Sequence, residues 1–348
     1  MNTLSQANGT FAIHLLKVLC QDNPSKNVCY SPMSISSALA MVLLGAKGDT
    51  AVQICQALHL NPDEDVHQGF QLLLHNLNKQ NNQKYCLTMA NRLFVENTCE
   101  LLPTFKESCL KFYHSEMEQL SFAEAAEESR QHINMWVSKQ TNGKIPDLLS
   151  KDSVNSQTRL ILANALYFHG TWCKRFEKNR TKEMPFKINK VRNSILNFLP
   201  SDEEIAWKTL IVNVENNLTF EKLTAWTKPE FMNRTEFHVY YPKFQLQEDY
   251  DMNSLLQHLG ILNVFDGSKA DLSGMSTKEN LCLSEFVHKC VVEVNEEGTE
   301  AAAASAVEFI FLCSGPDPET FCADHPFLFF IMHSTTNSIL FCGRFSSP

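Results

Sequence analysis

Residues 296–306 read Glu-Glu-Gly-Thr-Glu-Ala-Ala-Ala-Ala-Ser-Ala, and after them come Val307-Glu-Phe-Ile-Phe-Leu-Cys313 and Ser314-Gly-Pro-Asp-Pro-Glu-Thr320. Propensity alone makes the first part a helix, with Thr299 as cap and an alanine run behind it. The residues downstream argue for a different use. Val307, Phe309, Ile310, Phe311 and Leu312 lead straight into a Gly/Pro-rich polar segment and are hard to place in a core. They read better as an exposed loop that offers apolar side chains as bait to a partner. The small residues before them suit a strand that slides into an existing sheet. With a period of two, Thr299, Ala301, Ala303 and Ser305 share one face, small and uncharged enough to be buried without a clash. Glu300, Ala302, Ala304 and Ala306 share the other, which needs only water.

Elsewhere the chain carries little that could do chemistry. A GxSxG elbow, an HExxH pair, a GxxxxGK[ST] phosphate loop and a GxGxxG turn are all absent, so the sequence reads as no enzyme and calls for no cofactor. Its 12 cysteines include no CxxC pair and no histidine at zinc-finger spacing, so no metal site is expected. A 348-residue chain that is 44% hydrophobic can build a core without disulfide staples, so the cysteines read as free, mostly buried thiols of a reducing compartment. The sequons at Asn8, Asn97, Asn179, Asn217 and Asn233 then read as chance matches. With 39 acidic residues against 30 basic ones, a net charge of −9 and no Lys/Arg run longer than two, neither nucleic acid nor an anionic membrane is an expected partner. No apolar stretch reaches the roughly 18 residues a membrane span needs, and the N-terminal stretch has no signal-peptide pattern. The expectation is a soluble, cytoplasmic protein, with the nucleus also open to it.

The elements that must position the loop are legible in part. Residues 11–19 read as an amphipathic helix. Ser31 and Pro32 start a second, with Ile35, Leu39, Val42 and Leu43 on one face and Gly45 and Gly48 at its end. Further helices are predicted over 50–58, 104–112 and 127–140, the last stopped by Asn142-Gly143. Strands are predicted over 87–95, 158–168, 237–246 (interrupted by Pro242) and 286–294. Residues 326–331 and 339–342, joined by a polar turn, read as a fully buried hairpin. Helices gather early and strands late without strict alternation, which predicts an α+β fold. No repeat or linker divides residues 1–348, so one domain is expected.

With these residues in view the sequence resembles the serpin family, in its intracellular ov-serpin (clade B) branch. The resemblance covers nearly the whole chain. It is carried by residues 27–44 (NVCYSPMSISSALAMVLL), Asn164-Ala-Leu-Tyr-Phe-His-Gly-Thr-Trp172, the stretch 296–306, Asp324-His-Pro-Phe-Leu-Phe-Phe-Ile331 and Phe341-Cys-Gly-Arg-Phe345. It implies a fold of three β-sheets and about nine helices with an exposed reactive-centre loop. It implies a hinge at Glu296, Gly298, Thr299, Glu300, Ala301, Ala302, Ala303 and Ala304. It implies a shutter beneath the central sheet at Ser31, Ser34, Asn164 and His288, although His288 also fits a satisfied core histidine. Trp172 falls on the breach where insertion starts, and Lys243 on a lysine able to pair with Glu296. His169 stands where the family usually has lysine.

In the family a proteinase attacks the loop and is held as an acyl-enzyme while the cut loop inserts as a new strand. Counting from the hinge puts the scissile bond at Leu312-Cys313, behind Phe309, Ile310 and Phe311. The implied partner is a chymotrypsin-like serine proteinase of chymase, cathepsin G or granzyme type, bound covalently by a monomer. A granzyme B-type pocket wants an acidic residue, and Glu308 is four residues upstream. Cleavage at Phe311-Leu312 would suit the same enzymes. The resemblance breaks over residues 191–213, 23 residues where the usual family size has roughly 50. Strand character at 195–199 and 210–212 is what remains there. The expectation is that the two smaller sheets are abbreviated and the C-terminal hairpin is left with an exposed apolar edge. The alternative reading is a non-inhibitory serpin-like binding protein or a plain proteinase substrate.

Overall fold

One strand, Leu160–Gly170, is apolar on both faces. Leu160, Leu162 and Leu166 belong to the main core, and Ile161, Ala163, Ala165 and Tyr167 to a second, smaller one. A strand covered on both sides loses the alternation of a half-exposed one. This strand is therefore the middle of the molecule, and the rest of the fold is arranged about it.

The computed structural model describes residues 2–80, 85–170, 172, 174–188, 206–232, 235–277, 281–296 and 319–348. Gly298, Thr299, Glu300, Ala301, Ala302, Ala303, Ala304, Phe309, Ile310, Phe311, Leu312, Cys313 and the predicted strand at 195–199 lie outside the described residues. In chain order the elements are α1 (Asn2–Asp22), β1 (Val28–Tyr30), α2 (Pro32–Gly45), α3 (Gly48–Ala57), α4 (Val66–Gln80), β2 (Tyr85–Glu96), α5 (Pro103–Tyr113), β3 (Glu118–Leu120), α6 (Ala126–Gln140) and β4 (Leu160–Gly170). They continue with α7 (Ala206–Asn217), α8 (Phe220–Trp226), β5 (Phe237–Tyr240), β6 (Phe244–Asp251), α9 (Met252–His258), β7 (Glu285–Val294), β8 (Glu319–Cys322), β9 (Phe327–His333) and β10 (Ser338–Phe345). Among the described residues these form nine α-helices and three sheets, an α+β fold.

The central sheet has the order β3-β2-β4-β7-β6. β4 and β7 are parallel neighbours, with Asn164 opposite His288, while β2–β4 and β6–β7 are antiparallel. One face of this sheet carries α6 through Ile133 and Val137. The other carries α2, which is buried from Pro32 to Val42 because its residues are small or apolar all round. Behind α2 stands the three-stranded sheet β1-β10-β9, and α1 packs across α2 and β10. β5 and β8 form a parallel two-stranded sheet.

Three expectations are corrected. Residues 210–212 belong to helix α7, in which Ile211 and Glu215, with Leu218 just past its end, share the covered side and Val212 and Val214 are exposed. Their β-branched side chains imitate a strand, but the burial has helical period. Residues 237–246 form two strands, because Pro242 lies between β5 and β6 and the chain changes sheet there. The C-terminal hairpin is only half as buried as expected: β10 is buried throughout, whereas residues 327–332 of β9 are partly exposed, β9 being an edge strand among the described residues.

Candidate functional site

Ser31, Ser34, Asn164 and His288, the residues expected to form the shutter, come from three elements that meet under the β4–β7 seam. Ser31 caps α2, accepting a hydrogen bond from the Ser34 backbone N–H, with Pro32 in the first turn. Asn164 and His288 face α2 because each lies in register with the apolar positions that build the main core: Leu162 and Leu166 on β4, Phe286 and Cys290 on β7. All four residues are buried.

Their hydrogen bonds form one chain. The Ser31 backbone N–H donates to His288 Nε2 at 3.2 Å, so Nδ1 carries the ring proton and donates to Asn164 Oδ1 at 2.5 Å. Asn164 Nδ2 in turn donates to Ser34 Oγ at 2.7 Å. The imidazole is thus satisfied as a neutral ring. Protonation would set a second donor against the Ser31 N–H, and burial holds the His288 pKa at about 3. The imidazole is buried and hydrogen-bonded through both ring nitrogens, as a satisfied core histidine is. The seam itself is joined above the backbone ladder by the Asn164–His288 contact.

Two further members of this level were not found in the sequence. Asn91 on β2 is the register partner of Asn164, and Tyr250 on β6 is the partner of His288. Asn91 Nδ2 reaches Ser37 Oγ at 3.5 Å, and Tyr250 OH accepts from the Cys29 N–H at 3.0 Å. The signal that could have found Asn91 is its place on an apolar strand face, two residues from Leu93 and four from Leu87. β6 alternates weakly, so Tyr250 gave less to read.

At the far end of β7 lies a second cluster. Trp172 Nε1 donates to the Asn295 carbonyl at 2.8 Å, and its ring meets Phe176 and Tyr241 edge-on. Lys243 Nζ lies 3.0 Å from Glu296 Oε2, and Thr181 Oγ1 donates to Glu296 Oε1 at 2.9 Å. Its own backbone N–H, Lys243 and Thr181 together hold the Glu296 carboxyl at about 2. The Phe176 N–H donates to the Glu296 carbonyl at 3.1 Å, so the stem of the loop is clamped by backbone and side chain alike. On the same part of the seam His169 Nδ1 sits 3.7 Å from Glu293, its register partner across β4 and β7, and the same carboxylate contacts Tyr167 and Lys144. The other positions expected to form the hinge and the bait fall between β7 and β8, at 297–318, outside the described residues. Among the described residues no three His, Cys, Asp or Glu side chains converge as a metal site.

Comparison with known proteins places this geometry. The family model "Serpin (serine protease inhibitor)" matches residues 6–209 and 190–348. Human Serpin B9 is 57% identical over 377 aligned positions and human Serpin B8 49% over 376, each match covering all of both chains. Among solved structures, uncleaved ovalbumin superposes with a TM-score of 0.87 at 33% identity, covering 99% of this chain and 100% of its own. A tumour suppressing serpin superposes at 0.86 and 31%, covering 100% of both. Against the 377 positions of the Serpin B9 alignment this chain has 348 residues, which leaves 29 positions without a counterpart. A central sheet with a parallel seam, a polar cluster beneath it and a clamped loop stem at its end are features of a chain that belongs to the serpin family, a family of serine protease inhibitors rather than enzymes, in its clade B (ov-serpin) branch.

Proposed function

We propose that this protein is a cytoplasmic, single-use inhibitor of a chymotrypsin-like serine proteinase, its 348 residues acting as one domain and as a monomer. The observation that carries the reading is the pairing of β4 with β7. Parallel pairs are slightly weaker per residue than antiparallel ones. The loop leaves the end of β7, so a strand folding back beside β7 would run antiparallel to both β7 and β4 and convert one parallel ladder into two antiparallel ones. Thr299, Ala301, Ala303 and Ser305 are small enough for its inward face.

The proteinase serine attacks the Leu312 carbonyl carbon, the bond to the Cys313 nitrogen breaks, and the new amine leaves with a proton while Leu312 stays esterified. Insertion of residues 299–306 at Gly298 then carries the proteinase away from its substrate geometry. Glu296, held by Lys243 and Thr181, and Trp172 on Asn295 are the fixed point about which the loop folds. The Ser31–Ser34–Asn164–His288 chain is what must rearrange for the seam to part.

Incubation with chymotrypsin, then a denaturing gel and mass spectrometry, tests this. The expected products are a complex that survives denaturant and a released peptide beginning at Cys313. Leu312→Asp should abolish the reaction, and retained trapping by that variant would move the bait to Phe311.

The 29 positions without a counterpart favour a second reading. The family-model matches overlap at 190–209, which supports placing the shortfall within 191–213, in strands of the two smaller sheets. β9 is then left at an edge with Phe327, Phe329 and Ile331 half-buried. On this reading the protein is a substrate or binding module, and the gel shows a cut loop without complex.

A further inference from the structure

The structure brings Cys29 and Cys290 together from positions 261 residues apart. Cys29 lies on β1 beside the shutter serine Ser31, and Cys290 on β7, two residues beyond His288 on the same face. Both thiols are buried, with zero exposure. Cys290 Sγ donates to the Cys29 carbonyl at 3.0 Å and lies 3.1 Å from Cys29 Sγ. Its side chain is therefore aimed at its partner, and a movement of about 1 Å would bring the two sulfurs to bonding distance. The two strands belong to different sheets. The Ser31 N–H to His288 contact ties the end of β1 to β7 beside the pair, and the Cys29 N–H to Tyr250 OH contact ties β1 to the neighbouring strand β6.

We propose that Cys29 and Cys290 are a modification site, a buried dithiol that a small neutral two-electron oxidant such as hydrogen peroxide converts to an intramolecular disulfide joining β1 to β7. In the first step one sulfur attacks a peroxide oxygen, the O–O bond breaks, and a sulfenic acid and one water form. In the second the other sulfur attacks the sulfenic sulfur, the S–O bond breaks and a second water leaves. Two thiols lose two electrons and two protons, and one peroxide becomes two waters.

Burial and the contact with Cys290 push the Cys29 thiol well above its ordinary pKa, and both sulfurs are shielded from solvent, so the reaction is slow. The site thus responds to sustained oxidant rather than to a brief pulse. Closing a loop of some 260 residues removes much of the freedom of the unfolded chain. The oxidised protein should therefore unfold at a temperature about 5–10 °C higher, with the shift reversed by dithiothreitol. This inference is independent of whether the loop traps a proteinase.

The test is to hold the full chain in hydrogen peroxide, block free thiols with iodoacetamide in denaturant, and map the digest by mass spectrometry. The expected result is a peptide pair linked through Cys29 and Cys290, with the upward shift in unfolding temperature in the parent and not in Cys290→Ser or Cys29→Ser. Three results would overturn it. One is oxidation of the half-exposed Cys55 and Cys282 while Cys29 and Cys290 both alkylate as free thiols. Another is a link from either cysteine to Cys20 or Cys342 instead. The third is a linked pair that leaves the unfolding temperature unchanged.

Discussion

His288 is buried at the seam that the proposed insertion would open, with both ring nitrogens hydrogen-bonded. Its ring accepts from one neighbour and donates to another, and both contacts require the neutral form. Its folded pKa of about 3 lies below the 6.5 of an exposed imidazole. Between those values the unfolded chain binds a proton that the native one refuses, so stability rises with pH through this window. The contribution is complete above about pH 6.5 and is lost as pH falls towards 3, amounting to about 2 kcal/mol by pH 5. Urea unfolding at pH 7.5 and pH 5 should show a smaller acid loss in His288→Gln than in the parent, by that amount. Equal losses would remove His288 from the account. In the loop, Thr299→Arg sets a long cation on the face that must be buried. The variant should still be cut by chymotrypsin but form no stable complex on a gel, and unchanged trapping would contradict insertion. Ser31, Ser34, Asn164 and His288 were legible only through family resemblance, because they are distant in sequence and join through a fold. The capping role of Ser31 before Pro32 was legible from residue chemistry alone.

The elements differ in how plainly they could be read. α2, α6, β4 and β7 follow their apolar patterns closely, since each lies against a core with no competing demand. α7 did not, because Val212 and Val214 are β-branched yet exposed, and its buried face is held by a charge rather than by an apolar stripe. Glu215 accepts from Arg344 at 2.9 Å, and both side chains are almost wholly buried. Arg344 also donates to the carbonyls of Asn23 and Lys26, so it ties α7, the end of α1 and β10 to one point. This pair anchors the chain where it returns from residues 191–205. Removing one partner of a buried pair strands the other, so Glu215→Ala should destabilise by about 3–5 kcal/mol. Chemical denaturation measures this directly, and a loss below about 1 kcal/mol would mean that the ion pair does not anchor the helix. Pro242 was legible as an interruption, but a single proline does not say that the strands on either side join different sheets. That is decided by partners distant in sequence, β8 for one and β7 for the other.

For the molecule as a whole the question is whether a chain 29 positions shorter than its alignment with Serpin B9 still stores the strain that insertion releases. The central sheet, its parallel seam and the clamp on Glu296 are all in place, and they are what the proposed insertion would use. Among the described residues β9 is an edge strand of the three-stranded sheet. That β10 is buried throughout while β9 is only partly covered was not legible in the sequence. The central claim is that the native protein is held short of its most stable form until its loop is cut. Thermal unfolding before and after nicking the loop with a metalloproteinase tests it most directly, since such an enzyme makes no acyl intermediate and cannot be trapped. The account predicts that the nicked protein unfolds well above the intact one, as the freed strand enters between β4 and β7. An unfolding temperature that stays the same or falls on nicking would contradict it.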